Sequence, residues 1–105
     1  MKVYISGKIS GLPYEQVKEK FEQAVKQVAA YEYSPVSPLD NGCSECDPWG
    51  KQMKECIGQL LDCDAIYLLW DWKDSKGARI EEYIAREQGL QIMYQPEFAK
   101  YTSRT

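Results

Sequence analysis

One carboxylate stands where an apolar side chain is expected. Ala78, Ile84 and Ala85 recur at helical spacing between Gly77 and Gln88, and Glu81 lies three residues before Ile84 and four before Ala85. That spacing puts its carboxylate on the inward face of the helix. Glu82 points outward instead and pairs with Arg86 at i+4. A carboxylate on a core-facing stripe is costly unless hydrogen-bonded or used, while a place in the first helical turn favours its ionised form. The combination suits a nucleophile; the alternative is a glutamate that caps its own helix or reaches the rim. A second feature is the turn Gly7-Lys8-Ile9-Ser10-Gly11, which leads into a helix and can present backbone N–H groups to an anion, although turns of this composition also serve simply as turns. Trp70 and Trp72 can stack on a base or pack into the protein.

The four cysteines raise a different chemistry. Cys43 and Cys46 form a CxxC that, with Cys56 and Cys63, would make a four-thiolate zinc site, and the absence of histidine closes every other zinc-site type. The second pair lacks CxxC spacing and lies in a helical pattern, so free thiols are the preferred reading and neither metal nor cofactor is expected.

The elements that position these residues alternate along the chain. Lys2 to Ser6 reads as a short buried strand stopped by Gly7, followed by a helix from about Pro13 to Ala30 with Val17, Phe21, Ala24, Val25 and Val28 on one face. Tyr33 to Ser37 reads as a short edge strand, since Pro35 and Pro38 cannot donate to a ladder. Leu39 to Pro48 is a loop, and Met53, Cys56, Ile57, Leu60 and Leu61 mark a second amphipathic helix. Asp64 to Trp70 is an almost continuous apolar run of the kind buried on both faces of a parallel sheet. A loop, a third helix over Gly77 to Gln88 and a fourth strand over Gln91 to Tyr94 complete the pattern. Strand and helix in alternation predict right-handed βαβ units and a three-layer α/β/α domain with a small parallel sheet. Ligands of such sheets bind beyond the carboxyl ends of the strands, which singles out Gly7 to Gly11, Pro38 to Trp49 and Asp71 to Gly77.

Bulk properties narrow the partners. A chain of 105 residues with 44% hydrophobic and 28% charged residues fits one globular domain, expected over residues 1–94 with a polar tail over 95–105. A net charge of -3 offers no basic field for a nucleic-acid polymer. No apolar run approaches a membrane span, and the start MKVYISG lacks the apolar region of a secretory signal, so a cytoplasmic protein is expected.

Three strings carry a resemblance. Tyr4-Ile-Ser-Gly7-Lys-Ile-Ser-Gly11, Cys63-Asp64-Ala65-Ile66, and Ser75-Lys-Gly77-Ala-Arg-Ile-Glu81 with Ala85 and Gly89 together resemble the nucleoside 2-deoxyribosyltransferase-like superfamily, over Met1 to Tyr94, in particular its small bacterial and phage branch. The resemblance implies a flavodoxin-like sheet, a nucleophilic Glu81 that attacks C1′ of a deoxyribosyl group, and Tyr4 in contact with that glutamate. Similarity to the hydrolases of 2′-deoxynucleoside 5′-phosphates implies that the turn Gly7, Lys8, Ile9, Ser10 and Gly11, with Ser75, holds a 5′-phosphate, Lys8 adding charge, and that Gly77 and Cys56 are also substrate-binding. Active relatives carry an aspartate eight residues before the position of Asp64, where it handles the leaving base; here Cys56 stands there. A thiol is a poor substitute for a carboxylic acid in that role. The resemblance thus implies N-glycosidic bond cleavage or deoxyribosyl transfer on a nucleoside or deoxynucleoside monophosphate, by a homo-oligomer of two or more subunits. The alternative is a non-catalytic nucleotide-binding module on the same scaffold.

Overall fold

The computed structural model describes residues 1–43 and 47–95. Its elements run β1 (Lys2–Ser6), α1 (Tyr14–Ala30), β2 (Ser34–Val36), α2 (Trp49–Leu61), β3 (Ala65–Leu68), α3 (Lys76–Glu87) and β4 (Gln91–Tyr94), with single 3₁₀ turns at Pro38–Asp40 and Trp72–Asp74. All strand pairs are parallel, in the order β2-β1-β3-β4. This is the three-layer, flavodoxin-like arrangement expected from the alternating elements.

The period of two along each strand builds both cores. Val3 and Ile5 of β1, with Ala65 and Tyr67 of β3, face α1, whose Val17, Phe21, Ala24 and Val28 form a buried stripe at spacings of four, three and four. Tyr4, Ile66 and Leu68 face the other way, onto Cys56 and Leu60 of α2 and Ala85 of α3. Full burial of a side chain the size of Phe21 contributes about 1.5–3 kcal/mol, so α1 is held by its apolar stripe rather than by its ends. Its N-cap, Pro13, makes no side-chain capping bond. Gly89, at φ +73°, closes α3 with a Schellman turn: Leu90 N–H reaches the Ala85 carbonyl and Gly89 N–H the Arg86 carbonyl.

Several sequence expectations shift. β2 is confined to Ser34–Val36 at the sheet edge, where Pro35 is tolerated. β3 stops at Leu68, and Trp70, expected at the end of that strand, is exposed. Leu61, placed on the inward stripe, is also exposed, because α2 ends there and turns back toward β3. Glu82 does not point outward. It is buried beside Glu81, while its carboxylate still reaches Arg86 as the i+4 spacing predicts. Gln95, assigned to the tail, is buried: its backbone N–H donates to the Leu68 carbonyl and its side chain to Gln27 at 2.8 Å. The rest of the tail and Cys46 of the CxxC lie outside the described residues.

Candidate active site

The carboxyl end of β1 supplies the centre of the site. Tyr4 and Ser6 are two residues apart and share one face of the strand, and α3 crosses that face. α3 begins at Ser75, whose Oγ accepts from Ala78 N–H at 3.1 Å. From that start, Glu81 is the sixth helical residue and turns inward between Ala78 and Ala85. The inward face read from spacing is therefore correct, but the carboxylate sits beyond the first turn.

Both carboxylate oxygens are held. Tyr4 Oη donates to Oε2 at 2.8 Å and Ser6 Oγ to Oε1 at 2.7 Å. Glu81 is 5% exposed. Burial pushes its pKa up to about 7, against the opposing pull of the hydrogen bonds from Ser6 and Tyr4. The sequence expectation of a carboxylate kept ionised by the helix terminus is thus corrected: desolvation wins, because the two donors are neutral and the helix start is a turn away. Burial, and next the adjacent Glu81, also raise the Tyr4 phenol well above its ordinary value. Tyr4 stays protonated and keeps donating.

Tyr4 and Glu81 line a pocket of about 250 Å³. Gly7, Lys8, Ile9 and Ser10 form one wall, Ser75 and Gly77 a second, and Cys56 with Met53 and Trp49 of α2 a third. Of the catalytic and substrate-binding residues that the resemblance implies, Gly11 alone falls outside this pocket, on a larger adjoining cavity of about 640 Å³ that also reaches Trp49 and Cys56. Its φ of +83° makes it the left-handed residue of the turn. Gly7 has a packing reason to be glycine: a Cβ there would lie 2.6 Å from Leu69 Cδ1.

Cys56 is buried, and burial lifts its thiol pKa to about 11. Asn41 Nδ2 approaches its sulfur at 3.4 Å and also donates to Gln59 Oε1 at 3.2 Å. Cys43, Cys56 and Cys63 are free thiols, and among the described residues no group of three or more His, Cys, Asp or Glu side chains is arranged to hold a metal ion.

The turn after β1 is clamped from behind. Lys20 of α1 bonds to Asp71 Oδ2 at 2.6 Å and to the Lys8 carbonyl, while Asp71 Oδ1 accepts from Lys8 N–H at 3.2 Å. Lys20 is 10% exposed and Asp71 4%, so this is a buried ion pair tying together α1, the turn after β1 and the segment after β3.

Three features of the site escaped the sequence reading. Ser6 was legible in principle, as the polar residue two positions after Tyr4. Trp49 lies in the segment Pro38 to Trp49 but was not singled out, and it is 44% exposed with Lys76 Nζ 5.0 Å from its ring centroid. The Lys20–Asp71 pair joins positions 51 residues apart and left no local signal. Trp70 and Trp72, by contrast, do not line the pocket; Trp72 packs on Tyr94 with ring centroids 6.0 Å apart.

A parallel flavodoxin-like domain with a hydroxyl-held carboxylate at the carboxyl end of its first strand is the class that fold and site define. Residues 1–94 match the family described as a domain of unknown function (DUF4406), and the chain belongs to that family. Among solved structures it is similar to a 2-desoxiribosyltransferase from Leishmania mexicana, at 18% identity and a TM-score of 0.69, over 96% of this chain and 71% of that chain. The likeness read from the sequence therefore holds for the fold. No curated protein matches the sequence. Among the described residues no helix is long and apolar enough to cross a membrane.

Proposed function

We propose that this protein breaks the N-glycosidic bond of nucleosides or deoxynucleoside monophosphates, by hydrolysis or by deoxyribosyl transfer, with Glu81 as nucleophile. The observation that carries the reading is the Glu81 carboxylate, buried in the pocket wall with one oxygen on Tyr4 and the other on Ser6. The two hydroxyls fix the plane of the carboxylate. In its ionised form it stabilises the oxocarbenium-like state at C1′ and then captures the sugar as a covalent ester. Water or a second base resolves that ester, and the choice separates hydrolase from transferase. The turn Gly7 to Ser10, Ser75 and Lys8 receive a 5′-phosphate at the other side of the pocket. A cytoplasmic, homo-oligomeric protein accords with this reading, since a neighbouring subunit would close a pocket for which one small domain supplies few walls.

Base release from deoxynucleosides and their monophosphates tests the proposal. Glu81→Gln should abolish release while Glu82→Gln retains it, and wild-type release should rise as the pH passes about 7, where Glu81 becomes ionised. Equal release by wild type and Glu81→Gln would sink the assignment. A second reading, a nucleotide-binding module without turnover, is favoured by Cys56, whose buried thiol is a weak acid. Calorimetric binding of a nucleotide that is never cleaved would select it.

A further inference from the structure

The chemistry of the pocket is one-sided. Glu81 is a buried carboxylate whose hydrogen-bond partners are two neutral hydroxyls, and among the described residues no cation is paired with it. Both of those hydroxyl protons are already directed at the carboxylate, so neither is free for a departing base. Beside them stands Cys56, whose sulfur accepts from Asn41 and whose thiol holds its proton far above neutral pH. Asp74, on the 3₁₀ turn before α3, also lines the pocket and is exposed to solvent. The cations Lys8 and Lys76 lie on the turn and the helix start, with Lys76 over the Trp49 ring.

A neutral purine or pyrimidine leaves C1′ as an anion unless a proton reaches it, and a general acid supplies roughly a hundredfold or more of such a rate. A base that is already quaternised needs no proton, and its positive charge compensates a buried carboxylate that has no cationic partner. We infer that this pocket takes an N-glycoside whose base carries a positive charge, a 5′-phosphorylated ribosyl pyridinium or an N7-alkylated purine nucleotide. The inference rests on the glycoside reading of the site and names its substrate class. Glu81 faces the cationic end, Trp49 offers an aromatic surface to the heterocycle, and Lys8 and Ser75 take the phosphate. In the reaction, Glu81 bonds to C1′ as the C1′–N bond breaks. The bonding pair goes to the ring nitrogen, so the cationic base departs as a neutral heterocycle. Water then attacks C1′, the carboxylate is released, and one proton passes to solvent.

The test uses nicotinamide mononucleotide, its reduced 1,4-dihydropyridine form, which has nearly the same shape without the ring charge, and the common deoxynucleoside monophosphates. Base release by the purified full chain is followed by chromatography, and binding by calorimetry. The expected result is release from the pyridinium nucleotide at least about a hundredfold faster than from any neutral substrate, the size of a general acid's contribution. Its affinity should exceed that of the dihydro form by about tenfold, and Glu81→Gln, checked for folding by circular dichroism, should remove that preference. Charge-dependent binding without release would support the ligand class while overturning the glycosidase reading in favour of a binding module. Glu81-dependent release from neutral deoxynucleotides as fast as from the pyridinium nucleotide would overturn the inference and leave the glycosidase reading standing. Neither release nor charge-dependent binding would overturn both.

Discussion

Glu81 ties the site to the stability of the protein through its proton. Its folded pKa of about 7 lies above that of an unfolded glutamate, so the folded state binds the extra proton. The resulting stability is fully present below about pH 4.3, the unfolded value, and is lost as pH rises through about 7. Urea melts of the wild type should therefore fall by on the order of 3 kcal/mol between pH 4.5 and 8, at ~1.4 kcal/mol per pKa unit. Glu81→Gln should flatten that slope; an unchanged slope would mean that Glu81 titrates normally. Cys56 makes the companion case. Cys56→Asp should increase release of neutral bases, because a carboxyl can shuttle the proton that the buried thiol keeps, at a cost of about 1–3 kcal/mol for a poorly satisfied buried polar group. A destabilised variant with no gain would mark Cys56 as core. At this scale the sequence showed the direction of Glu81, because helix phase is a local property. Its charge state was not legible, since desolvation depends on everything packed around it and outweighs the helix terminus.

Among elements, the order and type of strands and helices were readable throughout, because apolar period is set within each segment. Val17, Phe21, Ala24 and Val28 announce α1, and the run Ala65 to Leu69 announces the central strand, all of them buried. Ends were less legible: Leu61 and Trp70 continue apolar patterns in sequence yet emerge into solvent where the backbone turns. The same limit explains the tryptophans, since adjacency to a strand end does not say which side of the sheet a side chain leaves by. The clamp between Lys20 and Asp71 is the element-scale feature no pattern announced. Lys20→Met should lower stability by about 3–5 kcal/mol, because it strands Asp71 as an unpaired buried charge. The double variant Lys20→Met with Asp71→Leu should recover much of that loss in denaturant melts. If Lys20→Met alone were neutral, Asp71 would have to be solvated.

For the whole molecule, the prediction concerns assembly. One domain of this size leaves the Glu81 pocket bordered by α2, α3 and the turn after β1, and a neighbouring subunit is expected to complete it. Light scattering at micromolar concentration should return at least a dimer mass, and a monomer mass would count against both the closed pocket and the enzyme. The two faces of the sheet are not independent. Lys20 belongs to the helix on the side opposite Glu81, yet its ammonium reaches across to the backbone of the turn beside that carboxylate. The amide of Lys8, donating to Asp71 inside that strap, cannot be released by local fraying of a surface loop. Its hydrogen exchange should report an opening free energy close to that of global unfolding, whereas ordinary ligand-binding loops exchange at the low end. On that outcome the wall formed by the turn after β1 is set before a ligand arrives, and recognition there draws on a rigid template rather than on ordering a mobile loop.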